Sequence, residues 1–198
     1  MLVRLTNLAG NNAVLSGLFF GPGGAPPSGG GSAQFVKADT ATQGYWRGAY
    51  GGDGYNVIDA GAPSYPSYAA VTPAGNSDYT WVASTPDPRA LQKPANPADR
   101  VAAAWYAGGS FSIDLNLTGG AHQVALYLLD WDSNGRSEQV DALDAASGKV
   151  LDSRTVNTFV GGEYLVWDVS GDVAFRLTRK SGNNAVLSGL FFDPAALA

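Results

Sequence analysis

Residues 111–117 read FSIDLNL, with every odd position apolar and every even position polar. A side-chain period of two marks an extended strand with one face in a core and the other in water. Residues 163–169 (EYLVWDV) and 173–179 (VAFRLTR) carry a looser version of the pattern. Residues 122–130 (HQVALYLLD) are apolar on both faces, which predicts a central strand covered on both sides. Turn pairs stand between or beside these segments: Gly119-Gly120, Ser147-Gly148, Gly161-Gly162, Ser170-Gly171 and Gly182-Asn183. No stretch holds a convincing helical period. The spacing predicts an all-β chain, an antiparallel β-sandwich of the jelly-roll type. Residues 173–192 read as a terminal hairpin turning at SGNN. A content of 26 Gly and 11 Pro with only 15% charged residues suits short strands joined by turns.

The chain also repeats itself. Residues 10–20 and 182–192 both read GNNAVLSGLFF, at an offset of 172 residues, and Arg4-Leu5-Thr6 and Pro22 match Arg176-Leu177-Thr178 and Pro194. A period this long implies whole domains as units rather than the turns of a solenoid. Residues 1–22 are therefore read as a tail hairpin copied from a preceding repeat, and not as an export signal, although their start imitates one. Residues 23–32 are a Gly/Pro/Ser linker. Residues 33–194 form the complete domain, and residues 195–198 are a short tail. The copied apolar strand, with Val14, Leu15, Leu18, Phe19 and Phe20, needs a partner. It pairs either within this chain or with another molecule.

Net charge and composition exclude several functions. At −5 with a pI near 4.6, and with no Lys/Arg cluster, the chain would be repelled by a phosphate backbone, so nucleic acid is not expected as a partner. No apolar run reaches the length needed to insert in a membrane. With no cysteine, thiolate metal sites and thiol nucleophiles are absent. His122 is the only histidine and reads as a surface or turn residue. No nucleophile elbow, zinc helix or phosphate loop is present, and no carboxylate pair stands out, so catalysis is not expected.

Two ligand-like features remain. In residues 130–138 (DWDSNGRSE), Asp130, Asp132 and Asn134 stand at alternate positions, followed by Gly135 and then by Glu138. Alternate oxygens before a glycine turn are the front of a Ca²⁺ loop. The other reading is a polar loop in which Arg136 pairs with an aspartate. The second feature is aromatic: Trp46, Tyr50, Tyr55 and Trp131 lie in Gly/Pro-rich or loop-like sequence. With Arg136 they are candidates for binding a polysaccharide or other glycan, since rings cover sugar C–H faces and planar polar groups meet hydroxyls. Plugging the ends of the sandwich is the alternative. Trp81, Trp105, Tyr127 and Trp167 lie in strand-like sequence and are expected in the core.

Residues 42–58 (TQGYWRGAYGGDGYNVI), 127–144 (YLLDWDSNGRSEQVDALD) and 183–192 (NNAVLSGLFF) resemble a β-sandwich domain of large secreted bacterial proteins. There it is repeated or appended, often beside glycoside-active modules. The likeness covers residues 34–193, and the back half is similar in layout to malectin-like and galactose-binding-like jelly rolls. The resemblance implies an extracellular or cell-surface domain with a carbohydrate-binding role, and it carries over no ligand residues. The alternative function is a structural subunit of a stalk, surface layer or filament, linked head to tail through residues 1–22.

Overall fold

A computed structural model describes residues 30–195. The hairpin expected over residues 1–22, most of the linker and the end of the tail lie outside the described residues. Twelve strands follow one another: β1 (Ser32–Asp39), β2 (Gly54–Val57), β3 (Ala69–Ala74), β4 (Ser77–Thr85), β5 (Leu91–Gln92), β6 (Arg100–Ala107), β7 (Ser110–Leu128), β8 (Ser137–Asp144), β9 (Val150–Val156), β10 (Glu163–Ser181), β11 (Ala185–Leu187) and β12 (Gly189–Pro194). They form an antiparallel β-sandwich. One sheet runs β2-β12-β7-β10-β8-β9, with β1 on β10 and β3 on β7; the other runs β11-β6-β4, with β5 on β6. Among the described residues no helix is long and apolar enough to cross a membrane.

The two long strands β7 and β10 carry the larger sheet. Gly119-Gly120 and Ser170-Gly171 do not reverse the chain as their sequence suggests. His122 pairs with Val169 and Leu117 with Gly171, so residues 118–121 bulge opposite Ser170 and both strands continue past the irregularity. Gly119 (φ 87°), Gly120 (φ 126°) and Gly171 (φ 71°) supply the left-handed backbone this needs. The neighbours change at the same level. On one side β10 is flanked by β1 and β7 by β12; on the other, β8 and β3 take those places. Residues 124–129 are all fully buried, as a strand covered on both faces should be.

The terminal hairpin is corrected as well. After β10 the chain turns through residues 182–184 but enters the other sheet, where β11 pairs with β6. It returns after Ser188 as β12, inserted between β2 and β7. Neither β11 nor β12 pairs with β10. The cause is the apolar density of residues 185–192: every one is buried, which a two-stranded hairpin could not achieve.

Aromatic rings fill the space next to β12. Tyr50 stacks on Tyr164 at 4.3 Å between centroids, Tyr127 lies 4.4 Å from Tyr164, and Trp46 lies 5.3 Å from Phe191. Their polar tips are satisfied. Tyr50 Oη donates to Asp39 Oδ2 (2.7 Å), Tyr164 Oη to Gln43 O (2.6 Å), Tyr127 Oη to Arg89 O (2.7 Å) and Trp46 Nε1 to Gln92 O (2.8 Å).

Candidate functional site

The Asp130 loop is wound around its own carboxylate. Asp130 Oδ1 accepts the Asn134 N–H at 3.0 Å, and Oδ2 accepts those of Gly135 and Arg136 at 3.1 Å each. Ser133 (φ 51°) and Gly135 (φ 72°) adopt the left-handed turns that bring these N–H groups inward. A calcium loop points oxygens at its centre, whereas this one points donors. The Arg136 guanidinium is paired to both Asp130 and Asp132. Glu138 lies elsewhere, buried, accepting the Val186 N–H through Oε2 at 2.8 Å. Asp130, Asp132 and Asn134 thus share one loop with Arg136 paired to both aspartates, while Glu138 lies apart from them. Among the described residues no cluster of three or more His, Asp or Glu side chains is placed to hold a metal.

The aromatic candidates are likewise separated. Trp46 and Tyr50 are each only 3% exposed, with their faces against Tyr55, Phe191 and Tyr164. They have no free face for a ligand, because residues 42–58 fold inward over β12. Tyr55 is half-buried, 4.8 Å from Trp46. Trp131 is half-buried under the Arg89 guanidinium, 4.6 Å from its ring, while Arg89 is held by Asp87. Arg136 of that set lines an open cleft.

That cleft has a volume of about 280 Å³ and is lined by Tyr79, Trp81, Tyr106, Asp132, Arg136, Asn183 and Asn184. Tyr79 and Trp81 both lie on β4, where the register against β6 shifts between Thr80 and Val82 and leaves Trp81 at the irregularity. Tyr106 comes from the adjoining β6, opposite Ser77. The Tyr79 ring meets Trp81 and Tyr106 edge-on, at 5.7 Å and 6.2 Å. Tyr79 is 52% exposed, and Trp81 and Tyr106 are half-buried. The polar wall comes from two loops, residues 129–136 and 182–184. Arg136 joins them, because its Nε donates to Asn184 Oδ1 at 2.8 Å.

Electrostatics hold this wall in one state. Burial pushes the Asp132 carboxyl upward, but the hydrogen bond and charge of Arg136 outweigh it and leave it below the usual carboxylate range. Burial opposes the Arg136 charge in turn, and the two aspartates overcome that, raising its affinity for the proton. The trio carries a net charge of −1 by formal counting, Arg136 against Asp130 and Asp132. Beneath it, burial raises Glu138 to about 8, with Oε1 lacking any partner.

Sequence reasoning missed Tyr79, Trp81, Tyr106, Asn183 and Asn184. Trp81 was expected in the core because it sits in strand-like sequence, yet β4 is an edge strand with one face open. Trp105, Tyr127 and Trp167 are buried as expected. His122 lies within β7, half-buried, its ring stacked on Tyr68 at 3.6 Å.

Several solved structures are similar in layout. The carbohydrate-binding module TmCBM61, in complex with β-1,4-galactotriose, is 15% identical over 65% of this chain and 86% of its own, with a TM-score of 0.32. A family 35 carbohydrate-binding module from Clostridium thermocellum is 11% identical over 63% of this chain and 92% of its own, with a TM-score of 0.38. The CBM51-2 and INT domains of Clostridium perfringens ZmpB, in complex with GlcNAc, are 13% identical over 83% of this chain and 41% of theirs, at 0.35. No protein-family model matches the chain, and no curated protein does.

Proposed function

We propose that the protein is a non-catalytic carbohydrate-binding domain whose ligand is a neutral glycan held in the Tyr79–Trp81–Tyr106 cleft. The observation that carries this reading is the pairing of three aromatic side chains on one wall with four polar side chains on the other. Trp81 and Tyr79 offer ring surface to the C–H face of a sugar, and Asp132, Arg136, Asn183 and Asn184 offer acceptors and donors to its hydroxyls. Arg136 is already fixed by Asp130 and Asn184, so little ordering is left for the ligand to drive. A net charge of −1 disfavours acidic sugars. At about 280 Å³ the cleft lies at the small end of ligand sites, roughly 300–1,000 Å³, and suits a single sugar unit with its neighbour outside.

Asp132 is the one carboxylate lining the cleft and is tied to Arg136, whereas glycoside hydrolysis uses two carboxyl groups across the scissile bond. Binding without turnover is the reading this supports. The 172-residue duplication favours a tandem array at the cell surface or outside it, where weak single sites add through avidity.

The test is affinity electrophoresis through gels containing neutral polysaccharides, followed by calorimetry on any that retard the protein. Retardation that is lost in Trp81→Ala, with the melting temperature unchanged, is expected. No retardation on any neutral polysaccharide would overturn the reading, as would retardation by acidic polysaccharides alone.

A second reading, head-to-tail assembly, is favoured by one observation. Val186, Leu187, Leu190, Phe191 and Phe192 are all fully buried, and Val14, Leu15, Leu18, Phe19 and Phe20 repeat them at the same spacing. Sedimentation of the full chain beside one lacking residues 1–22 separates the two readings, since only the assembly reading expects a difference in mass beyond the deleted residues.

A further inference from the structure

The aromatic rings of the cleft meet as a corner. Trp81 stands at 82° to Tyr79 across 5.7 Å, and Tyr106 at 84° to Tyr79 across 6.2 Å. A pyranose is a flat disc, so of two rings at right angles it can lie face to face with one. The other ring meets the rim of the sugar. In a plain hexose that rim carries hydroxyls, and a hydroxyl pressed on an aromatic face loses water without gaining a partner. A rim substituent with apolar surface gains from the same contact. The corner therefore favours a sugar with an apolar group on its rim.

The polar wall adds a second requirement. One carboxylate oxygen of Asp132 is engaged by Arg136, and the Asp132 side chain remains 39% exposed. Held ionised by Arg136, that carboxylate accepts hydrogen bonds and donates none. Asn184 Oδ1 accepts the Arg136 Nε–H at 2.8 Å, so its Nδ2 amide is the half left to donate. Asn183 beside it is exposed, and its side chain enters no hydrogen bond among the described residues. The acceptor and the amide donors thus come from different loops, residues 129–136 and 182–184, with Arg136 joining them.

An acetamido group meets both requirements. It ends in a methyl, and its amide is planar and trans, so N–H and C=O point opposite ways and need an acceptor and a donor on different sides. It is also uncharged, which suits a wall of net charge −1.

We propose, resting on the reading of this cleft as a glycan site, that the sugar it holds carries an acetamido group. The methyl sits in the Tyr79–Trp81–Tyr106 corner, the N–H donates to Asp132, and the carbonyl accepts from the side-chain amides of Asn183 and Asn184.

Calorimetry on the full chain compares sugars that differ at one carbon. The probes are N-acetylglucosamine, glucosamine and glucose, each as the monosaccharide and as the β-1,4-linked trisaccharide, then N-acetylgalactosamine, galactosamine and galactose. A 6-deoxyhexose, which has a methyl but no amide, completes the set. In one series or both, the acetamido sugar should bind about tenfold or more tighter than its hydroxyl and amino counterparts. Asp132→Ala should shrink that preference to about threefold or less with little change in melting temperature, since Arg136 keeps Asp130.

A hydroxyl, amino or 6-deoxy sugar that binds as tightly as the acetamido one would overturn the proposal. So would a preference unchanged in both Asp132→Ala and Asn183→Ala. If neutral polysaccharides without acetamido groups retard the protein and no acetamido sugar binds, the acetamido assignment fails and the glycan reading stands. If nothing in either experiment binds, both fail.

Discussion

The Arg136 guanidinium lies 5.4 Å from the centroid of the Trp81 ring while ion-paired to Asp130 and Asp132. One side chain thus sets both walls of the cleft: it braces the aromatic face from below and fixes the carboxylate opposite it.

Trp81→Ala should weaken glycan binding at least tenfold while leaving the fold intact, because the indole is half-buried at an edge strand. Trp46→Ala should do the reverse. Its ring is enclosed by Tyr55 and Phe191, and deletion should cost about 3–5 kcal/mol. Denaturant melts beside binding isotherms for the two variants check both claims.

Arg136→Ala should destabilise the domain by about 3–5 kcal/mol, since it leaves the buried Asp130 carboxylate without its cation. Calcium or a chelator should leave the melting temperature of the unsubstituted protein unchanged, because donors already surround Asp130. A calcium-dependent rise would show that the loop can turn its oxygens inward.

Glu138 makes stability depend on pH in an unusual direction. Its folded-state value of about 8 lies above the usual carboxylate value of 4.5, so the folded form holds a proton that the unfolded chain has released. The stability this contributes is fully present below pH 4.5 and is lost as pH rises through 8. Asp39 works oppositely, being lowered to about 2; burial pushes it up, but hydrogen bonds from Thr42 and Tyr50 outweigh that, so its contribution fades as pH falls from 4 toward 2. Stability should therefore peak near pH 4–5 and decline toward pH 8. Glu138→Gln should flatten the decline, read by denaturant melts at pH 5, 6.5 and 8.

Gly171→Val should cost about 1–2 kcal/mol, because φ of 71° is left-handed and a β-branched residue resists it. Urea melts of this variant measure the loss directly. An unchanged midpoint would mean that β10 crosses the irregularity opposite residues 118–121 without that geometry.

Much of the fold could be read from local pattern. The alternation in residues 111–117 and the unbroken apolar run after His122 are both visible in β7, one as a strand with an open face and one as a buried strand. The glycine-containing pairs at 147–148, 161–162 and 182–183 do fall in turns or bends between strands. The pairs at 119–120 and 170–171 are the same chemistry put to another use, since a positive φ serves a bulge as well as a turn. Nothing within either strand reveals that the other bends at the same level.

The cleft was legible only at Arg136 and Asp132. Those two lie four residues apart in one loop, so their pairing is local. Tyr79, Tyr106 and Asn184 are brought together by sheet register and by the return of the chain after β10, which no window of sequence contains. Composition and side-chain period determined that this chain forms strands, buries its aromatics and repeats its closing segment, because those properties follow from each residue's own shape and polarity. Which rings become core and which remain open was decided by the tertiary structure alone. Trp46 and Trp81 have the same indole, and only the sheet packed over one and missing from the other separates them.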